Sequence, residues 1–372
     1  MIVLDDASAS PTLDLAAASP QDQVVRIGRL EALPKWLNLV PMIAQWLWLS
    51  LRHGSWTLPA ASNPAITAGG LAGEGKSEYF RTMGTVAAAH TAPFAIYRNR
   101  LDPPSADDAE HCMRQAGLAY PLVLKPDIGW CGFGVRIVRT KDELKTYLAA
   151  YPRDEDIVLQ KFVTYEGEAG LYFVRFPGEA RGRITGMLLR FFPRVVGDGL
   201  STIAELMKRH PRAQRLGKDG RSEPCCDTSR IPLAGEIVRL SVTGSTRVGG
   251  MYQDATSLVT PELESAINDI AMDMRELHVA RFDVRYDTIG AMRAGHSFQI
   301  IEVNGVGSEA VHAWDPRYSL RQAYGIVFEK QRMLFTVGAA MRKRGWRPPS
   351  GWTLARLYWR QARLIKRYPL SN

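Results

Sequence analysis

The chain has 372 residues, 46% hydrophobic and 23% charged, which is enough apolar content for a sizeable core in two or three subdomains and excludes wholesale disorder. Its net charge of +9 sits at one end: from Met341 onward there are nine basic residues and no acid, so the rest of the chain is neutral. That excludes a basic nucleic-acid-binding surface spread over the fold.

Cys112, Cys131, Cys225 and Cys226 have no C-x-x-C spacing, which argues against a zinc site or a disulfide framework and fits a reducing, cytoplasmic compartment. Met1 to Pro11 carries Asp5 and Asp6 where a secretory leader needs basic residues.

In chain order, residues 1 to 25 read as a loose leader rich in Ala, Ser, Asp and Pro. Leu30 to Leu51 reads as helix with a break near Pro41. Its apolar part, Trp36 to Leu51, is too short to span a bilayer and is expected to be a buried helix rather than one lying on a membrane surface. Pro59 to Gly75 is loop, and a helix is expected from Ser77 to His90. Strands are expected at Phe94–Tyr97, Leu122–Lys125, Val135–Val138, Ile157–Val163, Leu171–Arg175, Ile184–Arg190, Phe282–Tyr286 and Phe298–Val303. Helices are expected at Asp107–Ala116, Asp142–Tyr151, Thr202–His210, Pro261–Leu277 and Leu320–Met341. This order implies an α+β or α/β fold with antiparallel sheets.

Two motifs carry chemistry. In Arg281-Phe-Asp283 and Glu302-Val-Asn304, strand alternation puts each flanking pair on one face. If the two strands pair, three oxygen donors and a guanidinium converge, a set that suits Mg²⁺ or Mn²⁺. A plain salt bridge between Arg281 and Asp283 or Glu302 is the competing role. The second motif is Leu122-Val-Leu-Lys125 followed by a loop holding Gly129, Gly132 and Gly134, then a strand. Glycines let backbone N–H groups approach phosphate oxygens, and the lysine adds a fixed positive charge. Gly70-Leu-Ala-Gly-Glu-Gly75-Lys76-Ser77 matches the nucleotide P-loop pattern letter for letter, but Ser62 to Ala68 is a poor core strand to precede one.

Taken together, these motifs resemble the ATP-grasp superfamily of ligases. The order of lysine strand, glycine loop, Gln160-Lys161-Phe162-Val163, Glu168, R-x-D and E-x-N is similar to D-alanine–D-alanine ligases, while Val195-Val-Gly-Asp-Gly199-Leu-Ser-Thr-Ile203, with Gly249-Gly250 and Asp254, resembles the cyanophycin synthetase branch. The resemblance covers residues 76 to 335. It implies an α+β ATP-grasp fold of two subdomains gripping ATP, with a helical and loop region over 1–75, a central subdomain over 76–165, a C-terminal subdomain with the Mg²⁺ site over 166–340, and a basic amphipathic tail over 341–372.

The activity it implies joins a carboxylate to an amine through an acyl phosphate, using ATP and Mg²⁺. A small-molecule kinase and a non-catalytic binding protein are the alternatives. By the same resemblance, Lys76 and Lys125 would contact ATP phosphates under the loop Gly129–Gly134. Gln160, Lys161 and Val163 would meet adenine, and Glu168 the ribose. Asp283, Glu302 and Asn304 would bind Mg²⁺, and Arg281 would stabilise the acyl phosphate. Apart from the resemblance, Arg190 and Arg194 either hold an acidic donor or form a solvated face, and Glu309, His312 and Asp315 either face the acceptor amine or are surface polar residues. Small molecules rather than nucleic acid are the expected partners.

The tail has apolar residues Leu354, Leu357, Tyr358, Leu364 and Ile365 at helical spacing beside a stripe of Arg356, Arg360, Arg363 and Arg367. Its apolar stripe either packs back on the body or rests on an anionic membrane, which would put the protein at the inner membrane face.

Overall fold

A computed structural model describes residues 26–100 and 104–372; the leader over 1–25 lies outside them. Two antiparallel sheets organise the chain. The first holds β1 (Phe94–Arg98), β2 (Leu122–Pro126), β3 (Arg136–Val138) and β4 (Asp156–Lys161), in the order β1-β4-β2-β3. The second holds β5 (Gly167–Val174), β6 (Arg183–Phe191), β9 (Met251–Asp254), β10 (Val279–Tyr286) and β11 (Phe298–Asn304), in the order β11-β10-β5-β6-β9. A two-stranded ribbon, β7 (Arg194–Val196) with β8 (Ile237–Arg239), stands apart. The fold is α+β with antiparallel sheets, as the order of elements implied.

The helices are α1 (Arg29–Ala32), α2 (Lys35–His53), α3 (Lys76–Thr82), α4 (Thr85–Ala89), α5 (Ala106–Gln115), α6 (Lys141–Ala150), α7 (Ile203–Arg209), α8 (Pro261–Met272), α9 (Ile289–Arg293), α10 (Leu320–Lys343) and α11 (Gly351–Arg367). Several begin where a hydroxyl takes up an orphan amide: Thr140 accepts from Glu143 N, Thr202 from Glu205 N, Ser319 from Gln322 N and Ser350 from Thr353 N.

Alternation makes the second sheet two-sided. Ala169, Leu171 and Phe173 of β5, Met187 and Leu189 of β6, and Ala280, Phe282 and Val284 of β10 enter one core, closed by Leu263, Ile267 and Ile270 of α8. The intervening residues, Glu168, Gly170, Tyr172, Arg190, Arg281, Asp283 and Arg285, share the opposite face. The smaller sheet packs on α5 and α6 through Leu122, Leu124, Leu144, Leu148, Ile157 and Leu159.

Four expectations need correction. Ser77 to His90 is two helices, because the chain turns at Gly84, whose missing side chain leaves room for the Asp273 carboxylate; that carboxylate then accepts from Ala87 N at 2.9 Å. Pro261 to Leu277 stops being helix at Met272, where the chain turns to join α3: Arg275 N donates to Thr82 O at 3.0 Å. The break foreseen near Pro41 falls instead at Leu33–Pro34, and α2 runs through Pro41. Finally, the helix over Trp36 to Leu51 is buried on one side only.

The tail is helical, as α11. Leu354 and Leu364 are buried, Ile365 and Tyr368 join the core of the smaller sheet, and Leu357 packs against Gly73. Its apolar stripe therefore meets the body, while Arg356, Arg363 and Arg367 stay exposed and Arg360 pairs with Glu155 at 2.9 Å. Among the described residues no helix is long and apolar enough to cross a membrane.

Candidate functional site

The two sheets meet at β11. Ala92 N donates to Ile300 O at 2.9 Å, and the amine of Lys125 on β2 reaches across to Ile301 O at 2.9 Å. The polar face of the large sheet opens at this junction. Arg281 is paired with Asn304 and Asp283 with Glu302 in the β10–β11 register, so both short motifs land side by side as strand alternation required.

The Arg281 guanidinium grips Asp283 through Nε (2.7 Å) and Nη2 (2.8 Å), and Asn304 Nδ2 lies 3.3 Å from the same carboxylate. The plain salt bridge is therefore present. Arg190 reaches Asp283 at 3.6 Å and also binds Glu168, which Arg285 holds from the other side at 3.0 Å. Lys76 Nζ sits 3.3 Å from Glu302. Burial opposes ionisation of Glu302, but Lys76, Lys125 and Arg281 outweigh it and pull the carboxyl down to about 2. Burial, with Lys76 nearby, lowers the Lys125 amine to about 8 despite the attraction of Glu302. Cations outnumber carboxylates here, as binding a polyanion requires.

Lys76 belongs to this cluster and not to a P-loop. No strand precedes it among the described residues; short 3-10 turns do. Its helix is docked on Asp127, which accepts from Ser77 N (2.7 Å) and Ser77 Oγ (3.0 Å), and its amine lies where a side chain on Gly129 would be, 2.6 Å from the Cβ position. Gly70, the first glycine of the pattern, is needed for packing: a Cβ there would fall 2.6 Å from Gly305 Cα.

The glycine loop is held from outside. Gly132 and Gly134 both have positive φ. Gln361 donates to Gly129 O at 3.0 Å and Tyr368 to Ile128 O at 2.6 Å, both from the tail, and Arg247 donates to Cys131 O at 3.2 Å.

Gln160 is buried and accepts from Lys125 Nζ at 2.7 Å. Lys161 is exposed at the end of β4 with its N–H taken by Pro93 O, and Val163 is buried just beyond. Arg194 lies on β7, outside the central cluster.

Asp283, Glu302 and Asn304 offer two carboxylates and an amide oxygen, with the Asn304 amide nitrogen already turned to Asp283. The donor set fits a hard divalent cation that completes its shell with phosphate oxygens and water. Among the described residues no group of three or more His, Cys, Asp or Glu side chains forms a metal cluster.

A cavity of about 210 Å³ adjoins this face, lined among others by Tyr172, Asp254, His312, Glu329 and Lys330. Arg281 and Lys330 each lie 5.9 Å from the centre of the Tyr172 ring. Burial pushes His312 down to about 4 and leaves its Nδ1 without a partner. Lys330 is pushed down to about 7 by burial and by Arg281. Asp315 instead accepts from Asp254 N at 2.7 Å and pairs with Arg317. Arg285 and Lys330 were not singled out from sequence. Arg285 continues the alternation of Arg281 and Asp283 and could have been read there; Lys330 is one lysine in a long helix and carries no local signal.

No family model matches the chain. The glutathione biosynthesis bifunctional protein GshAB of Streptococcus agalactiae is 26% identical over 174 residues, 41% of this chain and 22% of that protein. The cyanophycin synthetase of Trichormus variabilis is 25% identical over 201 residues, 48% of this chain and 21% of that protein. The match thus spans about a fifth of the length of these relatives. Among solved structures, D-alanine–D-alanine ligase from Bacillus anthracis aligns at 16% identity with a TM-score of 0.40, covering 73% of this chain and 68% of that one. A bifunctional glutathione synthetase from Pasteurella multocida aligns at 18% and 0.34, covering 66% and 34%.

The site and fold define an α+β protein with a cationic junction between two antiparallel sheets. The sequence matches are a distant homology to the ATP-grasp regions of GshAB and cyanophycin synthetase.

Proposed function

We propose that this protein is an ATP- and Mg²⁺-dependent ligase that joins a carboxylate to an amine through an acyl phosphate. The observation that carries this reading is the convergence of Lys76, Lys125 and Arg281 on Asp283 and Glu302 where the two sheets meet. Phosphoryl transfer needs positioned charge more than covalent chemistry from the protein, and this cluster supplies it in a buried setting.

In this reading, residues 76–165 and 166–340 form the two halves around the nucleotide, with 26–75 and 341–372 packed outside. Lys76, Lys125 and the amides of the Gly129–Gly134 loop hold the phosphates. Gln160, Lys161 and Val163 border the adenine, and Glu168 takes the ribose on the face it shares with Asp283. Asp283, Glu302 and Asn304 would hold Mg²⁺, which would neutralise charge on the transferring phosphate.

The donor carboxylate attacks the γ-phosphorus and ADP leaves. The acceptor amine then attacks the carbonyl carbon, phosphate departs, and the nitrogen loses a proton. Arg281 balances the charge on the acyl phosphate and on the tetrahedral species. The cavity beside Tyr172 supplies room for an organic substrate next to Arg281.

The test is a screen of carboxylate and amine pairs for phosphate release with ATP and Mg²⁺, followed by product analysis. ADP, phosphate and an amide are expected. ADP with a phosphorylated acceptor and no free phosphate would replace the ligase with a kinase.

A further inference from the structure

The outer face of α2 is turned the wrong way for a water-facing helix. Every exposed residue from Trp36 to Leu51 is apolar, running from Trp36 through Val40, Ile43 and Leu47 to Leu51. Trp36 is 69% exposed and Leu51 85%. The polar side chains of the same stretch point inward. Asn38 donates to Leu30 O at 2.7 Å and accepts from Tyr324, and Gln45 donates to Phe328 O at 2.7 Å. On that inner side Trp46 packs edge-on against Phe335 of α10. The strip lies within a 19-residue helix, and from Trp36 to Leu51 it is about 24 Å long. A contiguous exposed strip of this size marks an interaction surface.

The strip continues onto the start of α11. Trp46 Nε1 donates to Trp56 O at 3.1 Å, Gly351 lies flush on the Trp56 ring, and Trp352, 71% exposed, stands edge-on to exposed Trp359. Basic groups border it. Arg52 stacks over Trp48, and Arg342 donates to His53 O at 3.0 Å. Arg342, Lys343, Arg344, Arg347 and Arg356 are all exposed in a segment without a single acid.

We infer that this surface docks on an anionic lipid membrane, with α2 lying flat in the interface. Lipid meets all three features at once: hydrocarbon for the strip, the headgroup boundary for the tryptophans, and negative charge for the basic border. A second copy of the chain, packed face to face, would bring the two basic borders together. This inference is independent of the ligase reading, and it puts α2 rather than the covered stripe of α11 against the bilayer.

The experiment is co-sedimentation of the full chain with vesicles of phosphatidylcholine alone or mixed with phosphatidylglycerol, at low and high salt. The wild type is expected to pellet with the mixed vesicles and to be released by salt. Ile43→Glu with Leu47→Glu, placed on the exposed face, is expected to weaken pelleting by roughly tenfold or more, and Arg344→Glu with Arg347→Glu to weaken it on mixed vesicles only. Circular dichroism checks the fold; should the glutamates disturb it, Trp36→Ser with Leu51→Ser is the second variant. Brominated lipid is expected to quench the tryptophan fluorescence of the wild type. Four results would each overturn the inference: no vesicle binding by the full chain, equal pelleting of the wild type and the exposed-face variants, pelleting indifferent to lipid charge and salt, or a dimer that these variants dissociate in the absence of vesicle binding.

Discussion

Replacing Lys125 by Met separates the cost of the buried amine from its use. The side chain is 8% exposed, and its amine is pulled from 10.5 down to about 8, chiefly by burial. At pH 7 the folded protein carries this charge against a penalty of about 3 kcal/mol, at 1.36 kcal/mol per pKa unit. Two hydrogen bonds, to Gln160 Oε1 at 2.7 Å and Ile301 O at 2.9 Å, offset much of it. Lys125→Met removes the penalty and both bonds together, so stability at pH 7 should change by no more than about 1 kcal/mol. ATP affinity should fall much further. Losing one charge-assisted contact of about 1.5–3 kcal/mol corresponds to a factor of about 10–150.

The pH dependence gives a second signature. Because the folded pKa lies below the unfolded one, the unfolded state binds more protons between pH 8 and 10.5, and wild-type stability gains from this group as pH rises through that window. The variant lacks that gain. Urea unfolding at pH 7 and pH 10, with calorimetric titration of ATP, measures both. A large loss of stability at pH 7 with ATP affinity unchanged would refute the reasoning.

Asp283→Asn and Glu302→Gln should each lower kcat by orders of magnitude with the fold retained, measured as ADP release; near-normal turnover in both would remove them from the reaction. Glu302 has its carboxyl lowered from 4.5 to about 2, so its contribution to stability is complete above pH 4.5 and lost as pH falls toward 2. An acid titration of unfolding should show Glu302→Gln less sensitive than the wild type in that window. Arg212 is fully buried and binds Glu31 at 2.8 Å and Gly250 O at 2.8 Å. Arg212→Met should cost about 2–3 kcal/mol in urea unfolding, because Glu31 keeps Arg215 but loses Arg212, and the Arg26 and Gly250 carbonyls lose their donor. Tyr368→Phe loses the bond to Ile128 O and should cost about 1 kcal/mol in the same assay.

Much of the fold and site was legible as periodicity. Alternation in Arg281-Phe-Asp283 and Glu302-Val-Asn304 assigned each pair to one face, and the observed register joined them. Glycines at 132 and 134 announced a loop that needs positive φ. In the structure a Ser or Thr with Glu or Gln three residues on stands at the starts of α6, α7 and α10, a pattern as local as the helical period that placed those helices. These features are local, and the chain's own covalent geometry enforces them.

Contacts between distant segments decided the rest. Period alone states which residues share a face and is silent on what that face meets. Trp36 to Leu51 therefore read as a buried helix, when α10 covers one side and the other stays open. The lowered amine of Lys125 and the place of Lys330 beside Tyr172 depend on which charges burial brings together. The bend at Gly84 depends on Asp273, 189 positions further along the chain, and no local propensity encodes so remote a partner.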